Sequence, residues 1–507
     1  MTCAGRNVVL ALCALVTLPG AASAQAVRVD QDLVQRLDGQ PGHRIANAVS
    51  AAGDVDGDGL GDLVIGAAFA RPQCQTGRPD AYVAFSRLGP PTGVVGTGPG
   101  FSMRLRACQR GTGVSVAGAG DVNGDEHADV IVGAPGYTRG GDRSGGAAFV
   151  VFGSASTRTV DLDRLGSRGF RISGGPGDAA GAFVAAAGDV NGDGRDDVAV
   201  GTDRTIGKTE GGGIAFVGIV FGSTSQRAVD LHHLGRRGFR VRGYAEDDGF
   251  GTAIAGVGDL NRDGRDDVLL GAPRAPRGLV IAAGRAFVVY GSRSTRTVRT
   301  RALGTRGYTI TGDRPGARAG GSVADAGDVN GDGITDFILG SHRSLAPGRT
   351  ASGQAWVVFG ERSRRSVDLR GLAGRGIAIE AAEGELLGSS VGGAGDVNGD
   401  GLGDVVLAAT GSAANGPGRV YVIPGTRTPP GTIDLASATA PAMAIDGLDS
   451  DGLGLGVDDL SEADRGQQTV GTIDDLDGDG RAEIFAAAAR ATYGGPASGS
   501  VYLLRAG

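Results

Sequence analysis

Lysine is almost missing from this chain of 507 residues: Lys208 is the one lysine, and arginine carries the rest of the basic charge. That imbalance reads as a compositional bias. The arginines form no patch interleaved with aromatics, and aromatics are only 5% of the chain. Nucleic acid is therefore not an expected partner, and without a phosphate-cradling loop neither is a nucleotide. Histidine is scarce as well, and the adjacent pair His232 and His233 has no cysteine or acid at metal-ligand spacing. No stripe of apolar residues recurs at i, i+3 and i+4, which excludes a helical solenoid. No apolar run is long enough to span a bilayer.

The apolar run Val8 to Leu18 is preceded by Arg6 and followed by Ala22-Ser23-Ala24, the pattern of a secretory signal. Residues 1–24 are read as this leader, with a mature chain from Gln25 and a secreted, periplasmic or cell-surface location. Cys3 and Cys13 would leave with it, so Cys74 and Cys108 remain in a compartment that permits them to pair.

What the chain has in quantity is glycine, 96 residues, and one acidic loop repeated seven times. The third copy, Asp189-Val-Asn191-Gly-Asp193-Gly-Arg-Asp-Asp197, places oxygen donors at positions 1, 3, 5 and 9, with glycine at position 6. Such a set suits a hard cation that takes six to eight oxygens, and the expected ion is structural Ca2+, up to seven per chain. The first loop offers Asp54, Asp56, Asp58 and Asp62. The second offers Asp121, Asn123, Asp125 and Asp129, and the third Asp189, Asn191, Asp193 and Asp197. Asp259, Asn261, Asp263 and Asp267 follow, then Asp328, Asn330, Asp332 and Asp336. The sixth set is Asp396, Asn398, Asp400 and Asp404, and the last is Asp475, Asp477, Asp479 and Glu483. These positions hold 23 carboxylates, so the formal charge of −7 has an internal explanation; seven Ca2+ would add 14 charges and take −7 to +7.

A period of about 70 residues marks a repeat architecture. In the second unit a small-residue strand, Thr112 to Gly120, leads into the loop. Val130 to Pro135 is an apolar β-branched run, Ala147 to Phe152 a third strand, and Phe170 to Gly174 an alternating fourth. Four short strands per unit predict an all-β, seven-bladed β-propeller over residues 25–507. The third strand recurs seven times but the fourth only six. Val34 to Gly39 resembles the missing copy, so the N-terminal strand is predicted to complete the last blade and remove an open edge.

Phe250-Gly251, the loop from Asp259, and Gly271-Ala-Pro273 together resemble the FG-GAP repeat, the unit that builds the N-terminal β-propeller of integrin alpha chains. Gly120 to Asp125 with Gly133-Ala-Pro135 matches too, and the resemblance, to a secreted bacterial type, covers nearly all of residues 27–507. It implies calcium loops between the first and second strands on one face. The loops joining second to third and fourth to first strands would form the opposite, ligand-binding face. Glu126 departs from the pattern at position 6 of loop 2, and Arg262 at position 4 of loop 4. In this architecture Cys74 and Cys108 emerge on the same face, and a disulfide between them is expected.

That face should carry Arg274, Arg277, Arg343 and Arg349 with Asp247, Asp248, Glu383 and Glu385, alongside Arg71, Arg78, Arg139 and Arg143. The expected function is an extracellular binding or adhesion module for a glycan or a protein, working as a monomer without catalytic residues. The alternatives are an extracellular enzyme acting on polysaccharide, and a structural surface or matrix protein. Gly388-Ser-Ser390-Val-Gly392 fits G-x-S-x-G, but a nucleophile elbow needs a strand–turn–helix context and this segment enters a strand.

Overall fold

The computed structural model describes residues 26–29, 33–41, 43, 45–67, 79–86, 92–105, 113–138, 145–203, 213–363, 365–372, 374–411, 417–448, 452–454, 468–473, 475–476, 481–493 and 498–505. The leader, Cys74, Cys108, Asp477, Asp479 and the arginines at 71, 78, 139 and 143 lie outside them.

Second and third strands of a blade are buried on both faces. Asp129–Ala134 and Ala147–Val151 in blade 2 have no exposed residue, because each sheet is sandwiched between its two neighbours. This is why they read as unbroken apolar runs and not as alternating ones. The fourth strand, Gly169–Ser173, alternates buried with half-buried residues, as an outer strand should. The first strands carry alanine and glycine toward a central channel of about 600 Å³, lined by Ala51, Gly118, Ala186, Gly256 and Gly393 at equivalent places. Apolar clusters form between blades: Val83 and Phe101 of blade 1 pack with Val130, Val132 and Phe149 of blade 2. Backbone closeness reinforces them. A Cβ at Gly133 would lie 2.0 Å from the Gly181 carbonyl of the next blade, so the glycine of the Gly-Ala-Pro triplet is required there.

Seven sheets form the propeller. Blade 7 consists of Val470–Ile473, Glu483–Ala488 and Ser500–Leu504, completed by Leu33–Asp38 from the start of the chain. The predicted closure is thus present. Each sheet holds the four strands of its blade and a fifth added at the outer edge. The fifth is a two- or three-residue segment of the connector entering the next blade's fourth strand, and it pairs in parallel with the preceding blade's outer strand. Val160 faces Met103, Val229 faces Ile172, Val298 faces Val241 and Val367 faces Ile310. The N-terminus follows the same rule, since Ala26–Arg28 adds to blade 6 beside Met443–Asp446 before Leu33–Asp38 enters blade 7. One stretch therefore stitches two blades.

Candidate metal centres on one rim

All seven loops lie between first and second strands. Each described loop is folded around its own carboxylates. In loop 1 Asp54 Oδ1 accepts the N–H groups of Gly57 and Asp58 at 2.7 and 3.0 Å, and Oδ2 accepts that of Gly59 at 2.8 Å. Asp121, Asp189, Asp328 and Asp396 repeat this set. The carboxylate at position 5 accepts the N–H of position 7, as in Asp193 with Arg195 at 3.1 Å. Loop 4 departs where Arg262 stands: Asp259 accepts from Asp263 and Gly264, while the Arg262 N–H turns to the Asp259 backbone carbonyl. Positions 4 and 6 take left-handed backbone, and both Glu126 (φ 69°) and Arg262 (φ 58°) are held in it without being glycine.

Asp54, Asp56 and Asp58 bring carboxyl oxygens within 4.8 Å of one another. Asp62 is not part of that group. Its oxygens accept the N–H groups of Val55 at 2.9 Å and Ser86 at 2.8 Å, pinning the loop to the end of the third strand. Asp129, Asp197, Asp336 and Asp404 also hold the blade's third-strand end by a backbone N–H at 2.7–2.8 Å. All these position-9 residues are fully buried. Burial pushes the carboxyls of Asp62 and Asp336 up to about 7 and those of Asp129, Asp197 and Asp267 up to about 8, with their loop's other carboxylates adding to the rise. Asp404 is raised to about 6 for the same reasons. Buried acids crowded by other acids, in a donor set made only of oxygen, fit a hard divalent cation. In loop 7, Glu483 is buried and accepts the Leu476 N–H at 2.6 Å, the role that Asp62 has with Val55.

The loops are joined to one another. The N–H of position 8 donates to the position-1 carbonyl of the preceding loop: Ala128 to Asp54, Asp196 to Asp121, Asp266 to Asp189 and Gly403 to Asp328. Sequence reading missed this belt, and the recurring small or acidic residue at position 8 is its only trace.

On the opposite face the expected ligand-contacting charges are largely spent within the protein. Arg277 forms a two-pronged pair with Asp368 of the connector entering blade 5, and Arg349 does the same with Asp434. Arg419 holds Glu385 and Asp446. Asp248 is buried and accepts the N–H groups of Tyr244, Ala245 and Phe250. What this face offers instead is apolar: Leu279 is fully exposed, Ile281 79% and Leu345 43%. The Gly316 N–H bonds the Ile281 carbonyl and Arg314 bonds the Leu345 carbonyl, so one loop, 313–317, links the two loops that carry these residues. Ser390 lies in the strand Leu387–Gly395 and its hydroxyl accepts the Thr469 N–H, which is no elbow. Among the described residues lining the channel, Asp325 is the single ionisable group.

Six stretches match the FG-GAP repeat: 46–82, 112–151, 180–217, 250–290, 320–358 and 387–423. They are the first six blades without their outer strands. Integrin alpha-IIb of Homo sapiens is 32% identical over 178 residues, covering 34% of this chain and 16% of that protein. Integrin alpha pat-2 of Caenorhabditis elegans is 30% identical over 253 residues, 44% of this chain and 17% of that one. The matched region thus spans about a sixth of the length of these curated relatives. No helix among the described residues is long and apolar enough to cross a membrane.

Proposed function

We propose that this chain, an FG-GAP repeat protein folded as a seven-bladed propeller, is an extracellular calcium-stabilised binding or adhesion module for a protein or glycan. Residues 1–24 would be its removed leader and 25–507 its propeller, with Cys74 and Cys108 joined. The carboxylate, amide and Glu483 positions of the seven loops would hold Ca2+, which supplies charge compensation on the rim. The protein's own residues then keep the opposite face in shape. The observation that carries the binding role is the exposed patch of Leu279, Ile281 and Leu345 on second-to-third-strand loops. Solvent-exposed leucine and isoleucine at loop tips, with Arg314 bonded to the Leu345 carbonyl beside them, mark an interaction surface. Likeness to integrin alpha chains supports an adhesive role.

The test presents purified mature chain to a panel of extracellular proteins and polysaccharides, scoring retention and cleavage, with calcium and with chelator. Retention without cleavage, reduced about tenfold or more by Leu279→Ser with Ile281→Ser, is the expected result. Cleavage of a polysaccharide would overturn it in favour of an enzyme, and retention unaffected by the double substitution would move the site elsewhere.

A further inference from the structure

The seven junctions between blades are not filled alike. In blades 2 to 5 the connector carries the same anchors: a valine that pairs with the preceding blade, a leucine five residues later, and an arginine before the fourth strand. They are Val160, Leu165 and Arg168; Val229, Leu234 and Arg237; Val298, Leu303 and Arg306; Val367, Leu372 and Arg375. The valines are buried, and the guanidinium groups of Arg168, Arg237 and Arg306 lie 5.4, 5.3 and 5.1 Å over the rings of Phe101, Phe170 and Phe239 in the preceding blade.

The junction between blades 7 and 1 has lost each of these parts. Gly93, paired with Leu37, stands at the valine's place. After Val95 the connector reads Gly96-Thr-Gly98-Pro-Gly100, two residues shorter, with neither leucine nor arginine. Gln35, paired with Leu503, takes the place that Phe101 has opposite Val83. The result is a cavity of about 650 Å³. Its apolar wall includes Leu37, Leu63, Val95 and Leu503. Backbone geometry requires only some of the glycines. A Cβ at Gly100 (φ +128°) would lie 2.1 Å from the Val83 carbonyl, and one at Gly96 (φ +84°) 2.8 Å from the Tyr82 ring. At Gly98 a Cβ meets nothing within 4 Å, and at Gly93 only Leu37 at 3.4 Å; neither has a positive φ. The fold does not ask for glycine at 93 or 98, and side chains there would occupy the space.

We propose that this cavity is a binding site for a small, uncharged, largely apolar ligand. Its volume falls in the range of ligand pockets. Leu63, Val95 and Leu503, with Leu37 against them, belong to the apolar cluster between blades 7 and 1 and give the cavity its apolar surface. The charged wall residues are already committed: Arg36 and Asp38 pair at 2.9 and 3.0 Å, Asp38 also accepts the Ser500 hydroxyl, and the Arg36 guanidinium lies 3.9 Å over the Tyr493 ring. Among the described wall residues a charged ligand would find no counter-charge that is not in use, whereas a neutral one displaces only water.

The probe is N-phenyl-1-naphthylamine, neutral and fluorescent in apolar surroundings, titrated into the calcium-loaded full chain. Saturable binding of one molecule per chain is expected. Gly98→Leu, which restores the anchor of blades 2 to 5, should lower the affinity about tenfold or more without lowering Tm. Val94→Asp, at the exposed rim, serves as the second variant, because it weakens binding without touching the packed interior. No saturable signal from the wild type, or equal affinity in wild type and Gly98→Leu, overturns the proposal.

Discussion

Single residues set the strain in the rim loops. Glu126 is held at φ 69° where five other loops place glycine at φ 77–89°. A side chain in left-handed backbone costs about 1 kcal/mol. Glu126→Gly should therefore raise the unfolding free energy in urea titration, by less than about 1 kcal/mol because glycine restores entropy to the unfolded chain. Arg262→Gly should gain less, because its guanidinium donates to the Gly333 carbonyl of the next loop. No gain at Glu126 would show that the loop relaxes around it. His342 supplies a pH dependence. Burial, with Arg343 and Arg318 nearby, pushes its imidazole down to about 4. With the folded value below the ordinary value of about 6.5, the unfolded chain binds the proton more tightly. The contribution is absent above pH of about 6.5 and becomes destabilising as pH falls toward about 4. His342→Gln should be the more stable form at pH of about 5, by about 2 kcal/mol, and indistinguishable at pH of about 8. Parallel melting curves at both pH values would refute this.

At the scale of elements, the strands legible in sequence were those with a local pattern: the all-apolar second and third strands and the alternating fourth. The fifth was not, although Val160-Asp-Leu162, Val229-Asp-Leu231 and Val367-Asp-Leu369 recur, because two residues cannot display an alternation. Ligand positions in the rim loops were legible because nine consecutive residues fix their spacing. The pairs Arg277–Asp368 and Arg349–Asp434 were not, since they join groups 91 and 85 residues apart that only the stacking of neighbouring blades brings together. The closing segment is the element whose removal should matter most. Deleting residues through Asp38 exposes the whole edge of Ser500–Leu504 and strips the added strand from blade 6. We expect loss of a single cooperative melt and concentration-dependent light scattering, because unpaired edges associate. A soluble deletion with an unchanged melt would mean that the ring does not depend on its clasp.

For the molecule as a whole, the rim loops act together, because the position-8 N–H of one bonds the position-1 carbonyl of its neighbour. If the loops hold Ca2+ as proposed, its removal would leave their buried acids uncompensated. We expect a chelator to lower Tm by more than about 10 °C, with the effect reversed by added Ca2+. An unchanged melt would defeat the metal assignment. The clasp also imposes an order in time. A ribosome makes Leu33–Asp38 long before Ser500–Leu504, and Asp38 and Ser500 are 462 residues apart. Leu33–Asp38 must wait through the synthesis of six blades with only the short parallel segment Thr92–Val94 beside it, and the ring can close only once Ser500–Leu504 has been made. A chain cut short before that strand would keep its sticky edge, so the fold itself checks that the propeller is complete.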